Sequence, residues 1–97
     1  IVFPIIPFSS PIQRALGENE GKIRMIQEEN LNVRSQDLEQ RFHDAGQFYW
    51  GKIMELFLNK KLLTSNTGGI IISELESQDI DTENDWKLAE IKYQLIN

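Results

Sequence analysis

The sequence predicts an α/β fold, in which strands and helices follow one another within a small domain. Three patterns indicate this. A β-branched stretch, residues 69–72, runs into an acidic corner at residues 78–86, as a buried strand does before a helix begins. Apolar residues recur at helical spacing over residues 50–58. Residues 22–27 alternate between apolar and polar side chains, which is typical of a half-exposed strand.

Length and composition fit one globular domain. The chain has 97 residues, of which 40% are hydrophobic and 26% charged, and this balance argues against extensive disorder. The net charge of −5 argues against a nucleic-acid groove, which depends on clustered Lys and Arg. No apolar run reaches the roughly 18 residues of a membrane span. The absence of cysteine favours a reducing compartment, so we expect a cytoplasmic protein with no membrane partner.

The first twelve residues are apolar but contain Pro4, Pro7 and Pro11. Because proline has no backbone N–H to donate to a neighbouring strand, this stretch is predicted to be an irregular or edge strand. A continuous apolar stretch also suits an arm that packs on a partner subunit. The alternative, equally favoured, is a segment that packs against another part of a longer protein.

A β-hairpin is predicted next. Residues 13–16 would continue the first strand, residues 17–21 have the composition of a turn, and residues 22–27 would return as the second strand. The polar residues 28–41 predict a loop with a short helical turn.

Arg34 and Gln36 are the side chains of this loop best suited to bind an anionic ligand. A guanidinium group can bind a carboxylate through two parallel hydrogen bonds, and a glutamine amide both donates and accepts. An arginine in a polar loop more often forms a solvated ion pair, here with Asp37 or Glu39. From the residues alone, the ion pair is the favoured interpretation.

Residues 43–51 are aromatic and contain two glycines. In an extended chain, Gln47 and Tyr49 would face one side, towards a pocket, while Phe48 and Trp50 would face the core. This stretch therefore supplies two further candidates for ligand binding, Gln47 and Tyr49.

An amphipathic helix is predicted to follow, with its apolar stripe in the core and with Lys60 and Lys61 in its last turn. The stripe consists of Trp50, Ile53, Met54, Phe57 and Leu58. Residues 70–75 are predicted to form a buried strand. A second helix from Trp86 has so wide an apolar arc that it should be largely covered, and Lys92, inside this arc, would have to reach solvent or meet an acid.

The acidic corner between that strand and the second helix holds Asp79 and Asp81. If the corner is extended, these side chains point to the same side, roughly 6–7 Å apart, while Ile80 points into the core. Two carboxylates so placed suit a hard cation such as Mg²⁺. The commoner arrangement, favoured roughly three to one on spacing alone, is a helix N-cap at Asp81 or Thr82 with Asp85 as the capping-box acid. The two roles can coexist.

Three segments together resemble one enzyme family. They are RSQDL at residues 34–38, HDAGQFYWG at residues 43–51 and QDIDTENDW at residues 78–86. In this order and at these separations they resemble the acylneuraminate cytidylyltransferases, and the second segment is most similar to the branch that acts on pseudaminic acid. The resemblance covers most of the chain, from about Pro11 to Trp86.

The resemblance implies a reaction and its residues. The reaction is transfer of CMP from CTP to a nine-carbon 2-keto sugar acid (a nonulosonic acid), with release of pyrophosphate and with Mg²⁺ as cofactor. Asp79 and Asp81 would be the catalytic, metal-binding pair. The residues implied to contact the substrate are Arg34, Gln36, Gln47 and Tyr49. Ala45 stands where the sialate branch has Asn, which favours a sugar acid other than sialic acid.

The resemblance also implies how the chain is organised. The family begins with a strand and a nucleotide-binding loop rich in Gly, Ser and Lys, and this sequence, which starts at Ile1, has neither. Residues 1–97 are therefore expected to be the C-terminal portion of a single cytidylyltransferase domain, with the three-layer, Rossmann-like fold of the nucleotide-diphospho-sugar transferases. Residues 1–27 would form an arm and a β-hairpin through which a homodimer forms, and residues 28–97 the sugar- and metal-binding part. By itself the chain should be inactive.

Two alternatives stay open at this point. The same chemistry could act on sialic, legionaminic or 3-deoxy-octulosonic acid. The chain could instead be a non-catalytic interaction domain that dimerises through its proline-rich arm, in which case Asp79 and Asp81 would be dispensable.

Overall fold

A computed structural model describes all of residues 1–97. Its strands are β1 (Val2–Pro7), β2 (Leu16–Asn19), β3 (Lys22–Met25), β4 (Phe42–Asp44) and β5 (Gly68–Ile71). Its helices are α1 (Ile53–Asn59) and α2 (Glu83–Ile96), and short 3-10 turns lie at Ile12–Arg14, Glu28–Asn30, Ser35–Asp37 and Glu74–Glu76. The prediction of a mixed α/β protein is confirmed. Neither helix is both long and apolar enough to cross a membrane.

The chain divides into two compact units. One consists of Ile1–Pro7 and His43–Asn97, and the other of Phe8–Phe42. The first contains β1, β5, α1 and α2, and the second contains the β2–β3 hairpin. That all 97 residues are part of one larger domain stays a prediction.

Strand β1 is the central strand of a three-stranded sheet with the order β4-β1-β5. Its pairing with β5 is parallel and runs from Val2 opposite Gly68 to Ile5 opposite Ile71. The prediction of an irregular or edge strand for the first twelve residues is therefore wrong.

Two prolines fit this central strand because each falls where the sheet needs no donor. The carbonyl of Pro4 accepts a hydrogen bond from the Ala45 N–H at 3.1 Å. The Ala45 carbonyl does not depend on an N–H at position 4, because the hydroxyl of Ser77 donates to it at 3.0 Å. Pro7 lies beyond the last pair of the β1–β5 register. A side chain from a distant segment thus compensates for the proline.

The buried core of the structure is small and centres on β1. It consists of Ile1, Phe3, Pro4, Ile6 and Ala45. The chain has an accessible surface of 8140 Å², whereas a compact protein of its mass would have about 5,700 Å². Much apolar surface that folding usually buries is therefore exposed in this chain.

Three predictions of burial are wrong for this reason. No residue of α1 or α2 is buried, and Ile53, in the apolar stripe of α1, is 81% exposed. The strand predicted at residues 70–75 is shorter, and every residue of β5 is exposed. One three-stranded sheet in which only β1 is buried offers too little surface to cover both helices.

Strands β2 and β3 form the expected antiparallel hairpin, from Leu16 opposite Met25 to Asn19 opposite Lys22. The turn is tighter than the predicted residues 17–21, because Glu20 and Gly21 both adopt positive φ angles, of 52° and 79°. Two consecutive residues with positive φ angles form the two-residue turn that commonly joins the strands of a β-hairpin. Of the strand predicted at residues 13–16, Gln13 and Arg14 lie in a 3-10 turn instead, and Leu16 is the first residue of β2.

Helix α1 ends earlier than predicted. Lys60 is its C-cap residue and has a left-handed conformation with a φ angle of 55°. Lys60 and Lys61 therefore lie beyond the last turn, which contains no basic residue.

Candidate active site

The N-terminus of α2 fixes the end of the acidic corner. Thr82 is the N-cap residue, and its hydroxyl accepts a hydrogen bond from the Asp85 N–H at 3.1 Å. The Asp85 carboxylate accepts in return from the N–H groups of Asp81 at 3.0 Å and Thr82 at 3.1 Å. The predicted capping box is confirmed, with Thr82 as the cap.

These bonds favour the ionised form of Asp85. The bond from the Asp81 backbone, followed by those from Thr82, lowers the pKa of Asp85 below its ordinary value. A lowered pKa in the folded state stabilises the fold above the ordinary pKa of about 4, and this stabilisation is lost as the pH falls through the lowered value.

Substitution of the cap tests this arrangement. We expect Thr82→Ala to lower the free energy of unfolding by about 1 kcal/mol, because the N–H of Asp85 loses its partner at the helix terminus. Urea unfolding at neutral pH measures the change. Asp85→Asn should remove the part of the stability that rises with pH in the acidic range, and an unchanged pH profile in this variant would contradict the assignment.

Asp79 lies in a segment without regular secondary structure. It packs beside Gly46, where an added Cβ atom would lie 3.7 Å from the Asp79 carboxyl carbon. Gly46 has a φ angle of 72°, a left-handed conformation that glycine adopts without steric cost. The turn after β4 and the acidic corner therefore meet at Gly46 and Asp79.

Asp44 and Tyr49 lie next to the contact between Gly46 and Asp79. One oxygen of the Asp44 carboxylate accepts from the Gly46 N–H at 2.8 Å, and the other accepts from the Tyr49 hydroxyl. The Tyr49 ring packs on Phe3, with ring centres 5.2 Å apart. The hydrogen bond to Asp44 raises the pKa of Tyr49, and the charges of Asp44 and Asp79 raise it further. Tyr49 therefore stays protonated and can donate a hydrogen bond.

A cavity of about 240 Å³ opens beside Asp79. The charged and amide side chains that line it are His43, Asp44, Glu74, Gln78, Asp79 and Lys92. Three of these, Asp44, Glu74 and Asp79, are carboxylates, and Lys92 is the one lysine among them. The cavity thus brings together carboxylates from two stretches of the chain and a lysine from helix α2.

The predicted site residues in this unit have different surroundings. Asp79 lies beside Gly46, and Asp44 binds both the Gly46 N–H and the Tyr49 hydroxyl, so Asp79 and Tyr49 are connected through Gly46 and Asp44. The Asp81 side chain is exposed, and its backbone is held by Asp85. The Gln47 side-chain amide donates to the Glu76 carbonyl at 2.9 Å. The expectation that Phe48 and Trp50 face the core is wrong, since their exposed fractions are 51% and 76%.

Arg34 and Gln36 lie in the other unit. The Arg34 guanidinium donates to Asp37 at 3.0 Å, and both side chains are exposed. This solvated ion pair is the arrangement favoured from the residues alone. Gln36 lines a cavity of about 270 Å³ together with Ser35, Glu39 and neighbouring residues.

The comparisons with known proteins agree with the resemblance seen in the sequence. The sequence profiles of known protein families give no match. Pseudaminic acid cytidylyltransferases from two strains of Campylobacter jejuni are each 33% identical to this chain over 95 residues. A Helicobacter pylori protein, named pseudaminic acid cytidylyltransferase and UDP-2,4-diacetamido-2,4,6-trideoxy-beta-L-altropyranose hydrolase, is 31% identical over 93 residues.

The predicted resemblance to the pseudaminic acid cytidylyltransferases is confirmed. The matches cover 96–97% of this chain. In the other direction, the chain spans 41% of the length of the Campylobacter enzymes and 18% of the Helicobacter protein.

Asp79 and Asp81 offer carboxylate oxygens, the type of donor that Mg²⁺ prefers. The described chain contains no group of three or more His, Cys, Asp or Glu side chains arranged to hold a metal, so a fully protein-ligated site is not built here. Neither Asp79 nor Asp81 forms an ion pair, which leaves both carboxylates available. Mg²⁺ is commonly held by one or two carboxylates, with water and substrate phosphates as its other ligands.

Two residues of this candidate site were not identified from the sequence. Asp44 could have been found, because an Asp two residues before a glycine is typical of a turn in which the carboxylate accepts the glycine N–H. Lys92 was noticed only as a charge within an apolar arc. Its partners lie 14 and 15 residues away, and no local pattern identifies them.

Proposed function

We propose that this chain is the C-terminal part of a cytidylyltransferase that transfers CMP from CTP to a pseudaminic acid-like sugar acid and releases pyrophosphate. The observation that carries the proposal is the similarity to enzymes of that name over nearly the whole chain. The meeting of Asp79 with Gly46 supports it further, because it joins two of the three segments that resemble the family.

In this proposal, the hydroxyl at carbon 2 of the sugar acid attacks the α-phosphate of CTP. Asp79 and Asp81 would hold Mg²⁺, which would offset the negative charge that develops on the phosphate. The residues proposed to orient the sugar acid are Arg34, Gln36, Gln47 and Tyr49. Tyr49 is a candidate for this task because its hydroxyl donates to Asp44, which lines the same cavity as Asp79.

The fold and assembly are proposed in the same terms. The sheet β4-β1-β5 would be part of a larger three-layer, Rossmann-like sheet, and residues 1–27, including the β2–β3 hairpin, would contact a second copy in a homodimer. The exposure of both helices and of β5 supports the proposal, because these apolar faces would be covered in a larger protein. Residues that bind cytosine and triphosphate would lie outside this chain.

The test is an assay of the full-length protein with CTP, Mg²⁺ and one sugar acid at a time. We expect the highest kcat/KM with pseudaminic acid, and at least about a hundredfold lower values with sialic, legionaminic or 3-deoxy-octulosonic acid, because unpaired polar groups in a site strongly disfavour an analogue. A preference for one of the other acids would keep the reaction and change the substrate.

The isolated chain of 97 residues is the matched comparison. With CTP, Mg²⁺ and pseudaminic acid it should release no pyrophosphate above a blank without protein, because it lacks the proposed nucleotide-binding part. Release well above the blank would contradict the proposed division of the enzyme.

A second candidate function is a non-catalytic interaction domain. The observation that favours it is the amount of exposed apolar surface, which suits association with another protein. It predicts full function when Asp79 and Asp81 are replaced by Asn, whereas the enzyme loses its turnover.

A further inference from the structure

We propose that Lys92 is a positioning residue for Asp79, acting through Gln78 from helix α2. This inference rests on the proposed function, because it assigns Asp79 to the metal site. It adds a residue that lies outside the three segments that resemble the family.

The segment that carries Asp79 is held mainly by side chains. It follows the 3-10 turn Glu74–Glu76 and belongs to no strand, so no strand pairing fixes it. The Glu76 carbonyl accepts from Gln47 at 2.9 Å, and the Ser77 carbonyl accepts from Lys92 at 3.0 Å. The buried Ser77 hydroxyl donates to Ala45. The geometry of Asp79 therefore depends on these side chains.

Lys92 is bound to this segment and not to a carboxylate. Its ammonium group is partly buried and donates to the Ser77 carbonyl and, at 2.8 Å, to the side-chain oxygen of Gln78. No ion pair of the chain includes it. A partly buried ammonium needs such hydrogen bonds to offset the loss of water. Of the two expected fates of Lys92, reaching solvent or meeting an acid, the second is not observed, because its ammonium group donates to a backbone carbonyl and an amide oxygen instead.

The chemistry of the ammonium group fixes the orientation of Gln78. Lysine only donates, so the oxygen of the Gln78 amide must face it, and the amide nitrogen must face the other way. That nitrogen donates to the Asp79 carbonyl at 3.0 Å. Lys92 thereby determines which end of the amide meets the backbone of Asp79.

Helix α2 in this way holds both proposed metal ligands by their backbones. Its first turn holds the Asp81 N–H through the Asp85 carboxylate, and its third turn holds the Asp79 carbonyl through Lys92 and Gln78. The positions of Asp79 and Asp81 therefore both depend on helix α2. Partners of metal ligands commonly act in this manner.

The test uses Lys92→Met and Gln78→Met in the full-length protein, with kcat and direct Mn²⁺ binding measured by electron paramagnetic resonance without nucleotide. We expect each variant to lower kcat and to weaken Mn²⁺ binding about tenfold. The double variant should be no worse than Lys92→Met alone, because the two residues act in one path. Lys92→Arg, which keeps a donor, should restore Mn²⁺ affinity to within about twofold of the wild type.

The sign of the change in Mn²⁺ affinity distinguishes a positioning role of Lys92 from an effect of its charge. Removal of a nearby positive charge by itself strengthens the binding of a cation, so weaker Mn²⁺ binding in Lys92→Met indicates lost positioning. The matched control is Lys87→Met, an exposed lysine of the same helix, which should leave both readouts unchanged.

Unchanged or tighter Mn²⁺ binding in Lys92→Met, or additive losses in the double variant, would overturn the inference. If circular dichroism shows that Lys92→Met does not fold, the Mn²⁺ affinity of Gln78→Met tests the inference, because this variant keeps the positive charge of Lys92. A full-length wild-type protein without transferase activity would refute the proposed function, and the Mn²⁺ measurements would still decide the role of Lys92.

Discussion

Replacement of Asp79 by Asn in the full-length protein is expected to lower kcat about a thousandfold, which corresponds to about 4 kcal/mol of lost transition-state stabilisation. Asn has nearly the same shape but no charge, so the site loses a carboxylate for Mg²⁺ and little else. Asp81→Asn should have a similar effect. Pyrophosphate release at saturating CTP and sugar acid measures kcat, and circular dichroism checks that the fold is retained.

The control for charge is Glu83→Gln, which neutralises an exposed acid in the first turn of the same helix. It should leave kcat within about twofold of the wild type, as surface substitutions usually do. If Asp79→Asn kept a tenth or more of the activity, the metal assignment would be wrong, and the interaction-domain function would gain support if Asp81→Asn behaved likewise.

Phe3→Ala is expected to cost about 3–5 kcal/mol of folding stability. Phe3 is 8% exposed, lies in the central strand and packs on Tyr49. A chain of this size has a total stability of only about 5–15 kcal/mol, and this one has few other buried side chains. We therefore expect the variant chain to be largely unfolded or to unfold at much lower urea concentration.

Phe57→Ala is the matched comparison, because it removes the same side chain from a position in α1 that is 72% exposed. Its effect on the urea midpoint of the 97-residue chain should be within about 0.5 kcal/mol. Equal losses of folding stability in the two variants would mean that α1 is packed in solution and that the core extends beyond β1 and its neighbours.

Features set by local chemistry could be predicted from the sequence. The β2–β3 hairpin follows from the alternation at residues 22–27 and the glycine-containing turn before it. The cap at Thr82 follows from its spacing to Asp85. The solvated pair of Arg34 with Asp37 follows from their separation of three residues. Each depends on residues that are close together in the chain.

Features that depend on residues far apart in the sequence could not be predicted from it. The position of β1 in the centre of the sheet depends on Ser77, which satisfies the carbonyl opposite Pro4. The exposure of both helices depends on how much sheet is available to cover them, and an amphipathic pattern does not report this. Periodicity shows which face of a helix is apolar, but it does not show what covers that face.

The candidate site was predicted in part. The pairing of Asp79 with the tyrosine-bearing stretch was inferred from a resemblance, and the contact at Gly46 now joins these two segments. Asp44 was missed although its partners Gly46 and Tyr49 are close to it in the sequence. Lys92 was missed because its partners lie 14 and 15 residues away. Both lie in the cavity beside Asp79.

We propose that Asp79 and Asp81 together bind a divalent cation next to Gly46 and Tyr49. Nuclear magnetic resonance of the isotope-labelled chain, titrated with small amounts of Mn²⁺, tests it directly, because the paramagnetic ion broadens the amide signals nearest to it. We predict that the signals of Gly46, Asp79 and Asp81 broaden first. Broadening centred instead on another acidic stretch, such as the turn at Glu18 and Glu20, would show that the cation binds elsewhere and that Asp79 and Asp81 are not its ligands.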